Sequence, residues 1–208
     1  MKNEMQMAAN LPANTATSVQ FTNEGDNVAQ IVNQGVVNLN PTFYGNSGLL
    51  YNAGVTFNKE YYNLFAVDDD VLSSDYIFVG KDRALTISEG VAPEISSQYA
   101  CLTPEAIDEI KSFPTLFASK NHQQGWTDDA HLAYIGVVTD IVIQESNIKV
   151  SFQRFCSIPQ QRLNELASEL EILSAPFRNE FDQAHWAIKR VNMVDKLRAV
   201  GFSIPVFP

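Results

Sequence analysis

The chain has 208 residues, a hydrophobic content of 45% and an aromatic content of 11%, which excludes disorder throughout and allows a buried core. Its formal net charge of −10 is uneven, because residues 61–110 carry only Lys81 and Arg83 against ten acidic residues. Such an acidic stretch repels phosphate backbones, which argues against nucleic acid as a partner and would suit a basic protein.

The first 16 residues lack the apolar segment of a signal peptide, and no run approaches the roughly 18 apolar residues of a membrane span. We therefore predict a cytoplasmic protein that does not act at a membrane. Cys101 and Cys156 have no CxxC spacing, which predicts two buried thiols in a reducing compartment. No motif points to a cofactor.

Residues 1–58 form an arm rich in Asn and Gly, with short runs of β-forming residues and almost no charge after residue 13. Short apolar runs separated by turn residues favour brief strands, and so few apolar groups bury little surface alone. We therefore predict that the arm mediates contacts between copies of the chain, although a flexible tail or ordinary strands of the domain are alternatives. The predicted assembly residues are Val19, Phe21, Val28, Ile31, Val36 and Leu39.

Within this arm, Val19-Gln20-Phe21 is followed by Gly25-Asp26-Asn27. This segment resembles the short amyloid-forming signalling motifs of the RIP-homotypic-interaction type, in which a β-Gln-β core precedes Gly and Asn. The family has Gly directly after the triplet, whereas this chain has Thr22. The resemblance implies self-assembly by stacking of strands.

Residues 59–208 are predicted to form one folded domain. Thr103 followed by Pro104 is typical of a helix start, and we expect that helix to reach residue 112. Gly136 within a long strand indicates a bulge that bends the sheet. The other predicted strands cover residues 76–79, 84–87, 115–118, 132–144, 148–155 and 185–191, and the other helices cover residues 159–173 and 192–201.

Together these elements predict an α+β fold with a small curled antiparallel sheet or barrel, OB-like or SH3-like, and flanking helices. The segments at residues 110–119, 136–141 and 185–190 resemble a group of uncharacterised bacterial proteins associated with mobile elements or defence. That resemblance implies a bacterial setting and no particular chemistry.

The richest candidate site is the loop at residues 119–131. Two imidazoles and neighbouring carboxylates could bind a metal or transfer protons, and an indole at the tip could contact a partner. A polar hairpin loop accounts for the same residues, and their spacing matches no known motif, so we predict ligand or partner contact and assign no catalytic residue and no metal ligand. The candidate contact residues are His122, Trp126, Asp128, Asp129 and His131.

Two further groups near the C-terminus receive structural interpretations. His185 lies in a predicted strand and is interpreted as a core histidine with its hydrogen bonds satisfied. The basic patch of Lys189, Arg190, Lys196 and Arg198 is interpreted as a solvated face.

The function predicted from these features is a non-enzymatic, self-assembling structural or interaction protein of a bacterium or phage, with the arm mediating contacts between subunits in a homo-oligomer or filament. The alternative is a ligand-sensing domain or a small metal-dependent enzyme that uses the loop at residues 119–131.

Overall fold

The computed structural model describes residues 58–68, 74–174 and 178–204, so the predicted assembly residues of the arm lie outside the described residues. The described strands are β1 (Tyr62–Val67), β2 (Tyr76–Gly80), β3 (Pro114–Ser119), β4 (Leu132–Ile143), β5 (Asn147–Pro159), β6 (Leu173–Ser174), β7 (Arg178–Asn179) and β8 (His185–Lys189). The described α-helices are α1 (Pro93–Tyr99), α2 (Pro104–Lys111), α3 (Gln160–Glu165) and α4 (Met193–Ala199).

A mixed six-stranded sheet in the order β2-β5-β4-β3-β1-β8 organises the domain. The predicted α+β class is confirmed, but the expectation of a purely antiparallel sheet is wrong because β1 pairs with β3 in parallel. Parallel neighbours need a long crossover connection, and here the chain between them contains β2, α1 and α2. The two-residue strands β6 and β7 pair separately.

The sheet curls into a half-barrel, which brings the chain after β2 back to the opposite edge. Ala84 forms a parallel bridge with Trp186 of β8, and the Leu85 amide donates to the Trp186 carbonyl at 2.8 Å. The predicted strand at residues 84–87 is wrong, because Leu85 has a left-handed backbone with φ of 57° and a 3-10 turn follows at Ile87–Glu89. The turn directs the chain away from the sheet.

The predicted bulge at Gly136 is confirmed by a register shift between β4 and β5 at residues 135 and 136. A Cβ atom at this position would overlap the backbone carbonyl of Gln153, so only glycine allows the two strands to approach this closely. The strands predicted at residues 132–144 and 148–155 are present as β4 and β5, and the Gln144 amide donates to the Asn147 carbonyl at 2.9 Å across the turn between them.

The helix predicted after Thr103 is confirmed, and the Thr103 hydroxyl caps it by accepting from the Ala106 amide at 3.3 Å. The last helix likewise begins after Asn192, whose side chain accepts from the Asp195 amide at 3.1 Å. By contrast, the helix predicted at residues 159–173 ends at Glu165.

The chain after α3 buries its leucines without remaining helical. Leu163 and Leu170, which would share one face of the predicted helix, are fully buried, but Glu171 has a left-handed φ of 55° and Leu173 enters β6. A spacing of leucines that suits one helical face is therefore met here by a short helix followed by turns.

An aromatic row ties the sheet together. Phe65 of β1 stacks on Phe117 of β3 at 5.4 Å between ring centroids and on Trp186 of β8 at 5.0 Å. Phe117 also contacts Phe152 of β5 at 4.3 Å. Because these residues lie far apart in sequence, their stacking fixes the relative positions of four strands.

Two expectations about burial and membranes can be compared with the fold. Cys156 is buried as predicted, whereas Cys101 is exposed, so the prediction of two buried thiols is wrong for Cys101. None of the helices in the described part of the chain has the length and apolar character needed to span a membrane.

Candidate functional site

The loop at residues 119–131 connects β3 to β4 and is tied to the domain by backbone hydrogen bonds. The Lys120 amide donates to the Val67 carbonyl and the Asn121 amide to the Phe181 carbonyl, both at 2.8 Å. At the tip, Gln123 and Trp126 exchange backbone hydrogen bonds of 3.1 and 3.0 Å around Gly125, which has φ of 63°. The tip is therefore a closed turn that glycine accommodates.

Polar side chains of α3, of β7 and of the turn at residues 180–182 hold this loop in place. Asp182 accepts from the Asn121 side chain at 2.8 Å and from the Gly125 amide at 2.9 Å. Gln161 accepts from the Thr127 amide at 3.0 Å, and Gln160 donates to the Ser119 carbonyl at 2.7 Å. The remaining side-chain amides of the network are those of Asn164 and Asn179. A loop with this many intramolecular partners loses little conformational freedom on binding.

The structure brings together four of the five candidate contact residues. His122 Nδ1 lies 3.2 Å from Asp128 Oδ2 and 3.3 Å from Thr127 Oγ1. The His122 ring contacts the His131 ring edge-on at 4.7 Å between centroids and lies 6.4 Å from the Trp126 ring. The result is an imidazole pair beside one carboxylate and one indole.

The members of this group differ in exposure. Trp126 is 46% exposed, an unusual state for so large an apolar side chain. Asp129 is exposed too, and within the described residues no hydrogen bond or ion pair joins it to the imidazoles, so it stands apart from the group. Across residues 58–68, 74–174 and 178–204, no three His, Cys, Asp or Glu side chains are grouped so that they could hold a metal ion.

A second polar site lies inside the domain, where Glu180, His185 and Lys189 form a buried cluster. Their side chains are only 3%, 1% and 5% exposed. Lys189 Nζ donates to Glu180 Oε1 at 2.5 Å and to the Gly90 carbonyl at 3.0 Å, and His185 Nε2 lies 3.2 Å from Glu180 Oε2. Burying charges costs free energy unless each is paired, and here every charge has a partner.

Gly90 is the contact point between this buried cluster and a second ion-pair group. It has φ of 81°, and a Cβ atom there would collide with the Glu180 carboxylate. Its neighbour Glu89 is 8% exposed and accepts from Arg83 Nη1 at 3.0 Å and from Arg178 Nη2 at 3.1 Å. The consecutive residues Glu89 and Gly90 therefore contact two different ion-pair groups.

Comparison with known proteins adds no family to this description. No family model, no curated protein and no solved structure matches the chain.

The buried cluster corrects one prediction and shows what sequence reasoning missed. His185 is a core histidine, as interpreted, with Nδ1 at 2.9 Å from the Gln183 carbonyl. Lys189, however, is buried, so its assignment to a solvated face is wrong. The signal that could have found it is the alternation in β8, which places His185 and Lys189 on the same face of a strand with a buried Ala187 between them.

Proposed function

We propose that this chain is a non-enzymatic interaction protein that associates with copies of itself through two regions, the N-terminal arm at residues 1–58 and the loop at residues 119–131. The observation that carries the proposal is the braced loop, which holds Trp126 in solvent at its tip. Exposed tryptophan on a preorganised surface is typical of residues that dominate binding energy at interfaces. In this proposal the imidazole group around His122 is part of the contact surface and has no catalytic role.

The arm supports the same proposal through its composition. The described domain has its own hydrophobic core, extending from Tyr62 to Ile204. In this proposal the β-forming residues of the arm, from Val19 to Leu39, therefore bury their side chains against other copies rather than completing the domain. The OB-like or SH3-like character of the half-barrel, the bacterial cytoplasm and the link to mobile elements or defence remain parts of the proposal.

The arm is tested in the full chain by multi-angle light scattering. Replacing Val28, Ile31 and Val36 by Asp should lower the mass of the assembly, because three buried apolar contacts become charged. The matched control replaces Asn27, Asn33 and Asn38 by Asp, which adds the same charge at polar positions and should leave the mass unchanged. Equal masses for the two triple variants would contradict a role of the arm in assembly.

The loop is tested separately by sedimentation over a range of concentrations. Trp126→Ala should raise the dissociation constant for self-association by about tenfold or more, as expected for an interface tryptophan. The control is Ile87→Ala, which truncates another apolar side chain that is 59% exposed. If the two variants dissociate alike while the arm variant dissociates further, the loop is not a contact and the arm alone carries the assembly.

A further inference from the structure

A cleft of about 450 Å³ opens beside the buried cluster. Its walls come from α1, from the turns after α3 and from β8 together with the residue that follows it. A concave space of this size, lined by both polar and apolar residues, can hold a small molecule. Glu180 and Lys189 of the buried cluster lie at its inner end, so the chemistry of that cluster decides what the cleft can hold.

Lys189 offers a hydrogen-bond donor to this cleft. A lysine ammonium group has three N–H donors, and two of them are used by Glu180 Oε1 and the Gly90 carbonyl. The third donor can therefore serve an oxygen atom of a ligand. Because Lys189 is 5% exposed, a hydrogen bond at this depth is poorly screened by solvent.

The hydrogen bonds of the buried cluster show which group remains available to a ligand. Both oxygen atoms of Glu180 have partners, because Oε1 accepts from Lys189 Nζ and Oε2 lies 3.2 Å from His185 Nε2. His185 Nδ1 in turn lies 2.9 Å from the Gln183 carbonyl. The third donor of Lys189 is therefore the group that the inner end of the cleft offers, and an ammonium donor favours an anionic oxygen group such as a carboxylate.

The outer part of the cleft has the opposite character. Glu94 and Glu171 line it and are exposed, and neither side chain forms an ion pair within the described residues. Arg190 lines the cleft as well, and its guanidinium group lies 4.0 Å from Glu60. Between these ends lie the apolar side chains of Ile95 and Leu173. The cleft thus presents the Lys189 ammonium group inside, two carboxylates with no ion-pair partner among the described residues further out, and aliphatic side chains between them.

We propose that this cleft binds a free amino acid with an aliphatic side chain. The ligand carboxylate accepts from Lys189, its ammonium group lies near Glu94 or Glu171, and its side chain packs on Ile95 and Leu173. An anion without an ammonium group gains nothing from the two carboxylates, and a cation without a carboxylate leaves the third donor of the buried Lys189 without an acceptor. The inference goes beyond the proposed self-association and does not depend on it.

The test measures thermal unfolding of the full chain with three probes that share one aliphatic tail, each at about 10 mM. L-leucine has both charged groups, 4-methylpentanoate lacks the amine, and 3-methylbutylamine lacks the carboxylate. L-leucine should raise the unfolding temperature and bind at least about tenfold more tightly than either analogue. No shift with L-leucine, or an equal shift with either analogue, would overturn the proposal.

Variants at the surface locate the binding without disturbing the core. Ser168→Trp fills the mouth of the cleft and should abolish the shift with L-leucine, whereas Ser88→Trp, at another exposed serine outside the cleft, should retain it. The double variant of Glu94→Gln and Glu171→Gln should weaken L-leucine binding about tenfold and should not weaken binding of 4-methylpentanoate. Binding that survives Ser168→Trp would place the amino acid elsewhere and overturn the assignment.

Discussion

The domain contains two pairs of a histidine and a carboxylate at the same separation in opposite surroundings. His185 and Glu180 lie 3.2 Å apart with side chains that are 1% and 3% exposed. His122 and Asp128 also lie 3.2 Å apart, but their side chains are 37% and 50% exposed. Water can replace a lost partner only in the pair of His122 and Asp128. The two pairs therefore differ in how much their loss lowers the free energy of unfolding, although their distances are equal.

The two regions also differ in what holds them together. The buried cluster depends on contacts between ionisable side chains that water hardly reaches, whereas the loop around His122 is held mainly by neutral amides and one carboxylate, Asp182. Removing the carboxylate of the buried cluster should therefore lower the stability of the whole fold. Removing the carboxylate beside His122 should change only the local order of the loop. The following predictions use matched variants to test that contrast.

The largest effect is expected for Glu180→Ala, which leaves Lys189 and His185 buried without their carboxylate. Breaking a buried ion pair by removing one partner costs about 3–5 kcal/mol in the free energy of unfolding. Asp128→Ala removes the corresponding carboxylate from the exposed pair and should cost at most about 0.5 kcal/mol. Urea denaturation of both variants measures the difference, and similar costs would show that burial does not separate the two pairs.

Two glycines with positive φ provide a second matched test. Gly90→Ala adds a methyl group that collides with the Glu180 carboxylate in addition to left-handed strain, so we expect a loss of about 3 kcal/mol. Gly125→Ala has the strain alone, because its nearest neighbour would be Asn179 Nδ2 at an ordinary 3.8 Å, and should cost about 1 kcal/mol. Thermal or urea unfolding gives both values. A smaller cost at Gly90 than at Gly125 would mean that the buried cluster adapts easily.

Asp182→Ala tests how the loop is held. Asp182 accepts two hydrogen bonds, from Asn121 and from the Gly125 amide, so its loss should cost about 2 kcal/mol and speed hydrogen exchange at the Gly125 amide. Asp129→Ala, within the loop at residues 119–131, removes an exposed carboxylate that is outside the network and should change neither quantity. Unchanged exchange in Asp182→Ala would show that the amides of Asn164 and Asn179 suffice to order the tip.

Sequence alone predicted the features that depend on neighbouring residues. Thr103 and Asn192 cap their helices by accepting from amides three residues further along, so a short sequence motif is enough to predict where each helix begins. Gly136 was identifiable for a similar reason, because a glycine within a long run of strand-forming residues usually marks a bulge or a bend. The loop at residues 119–131 was also located correctly between two strands.

Distant partners decide the features that sequence did not predict. Strand β1 pairs with β3 and β8, and its partners lie about 50 and 120 residues away, as the pairs of Asn63 with Thr115 and Ile188 show. Lys189 is buried only because Glu180 and Gly90 meet it in the folded chain. A lysine near the end of a strand is usually solvated, so its burial could not be predicted without those partners.

The smallest effect concerns the two thiols, which extend the contrast between buried and exposed groups. Burial raises the pKa of Cys156 from its ordinary 9.0 to about 12, so the folded chain keeps this proton at a pH where the unfolded chain has lost it. The free energy of unfolding should therefore fall above pH 9 by up to about 1.4 kcal/mol per pH unit from this group, until the pH approaches the folded pKa.

Urea denaturation at pH 8, 9 and 10 isolates this contribution when the native chain is compared with Cys156→Ala, because the cost of the cavity in the variant does not depend on pH. Cys101→Ala is the control, since Cys101 is exposed and its removal should leave the pH dependence unchanged. The stability difference between the native chain and Cys156→Ala should shrink as pH rises. A constant difference would mean that the Cys156 thiol ionises equally well in the folded and unfolded chains, which its full burial in β5, opposite Ile135 of β4, argues against.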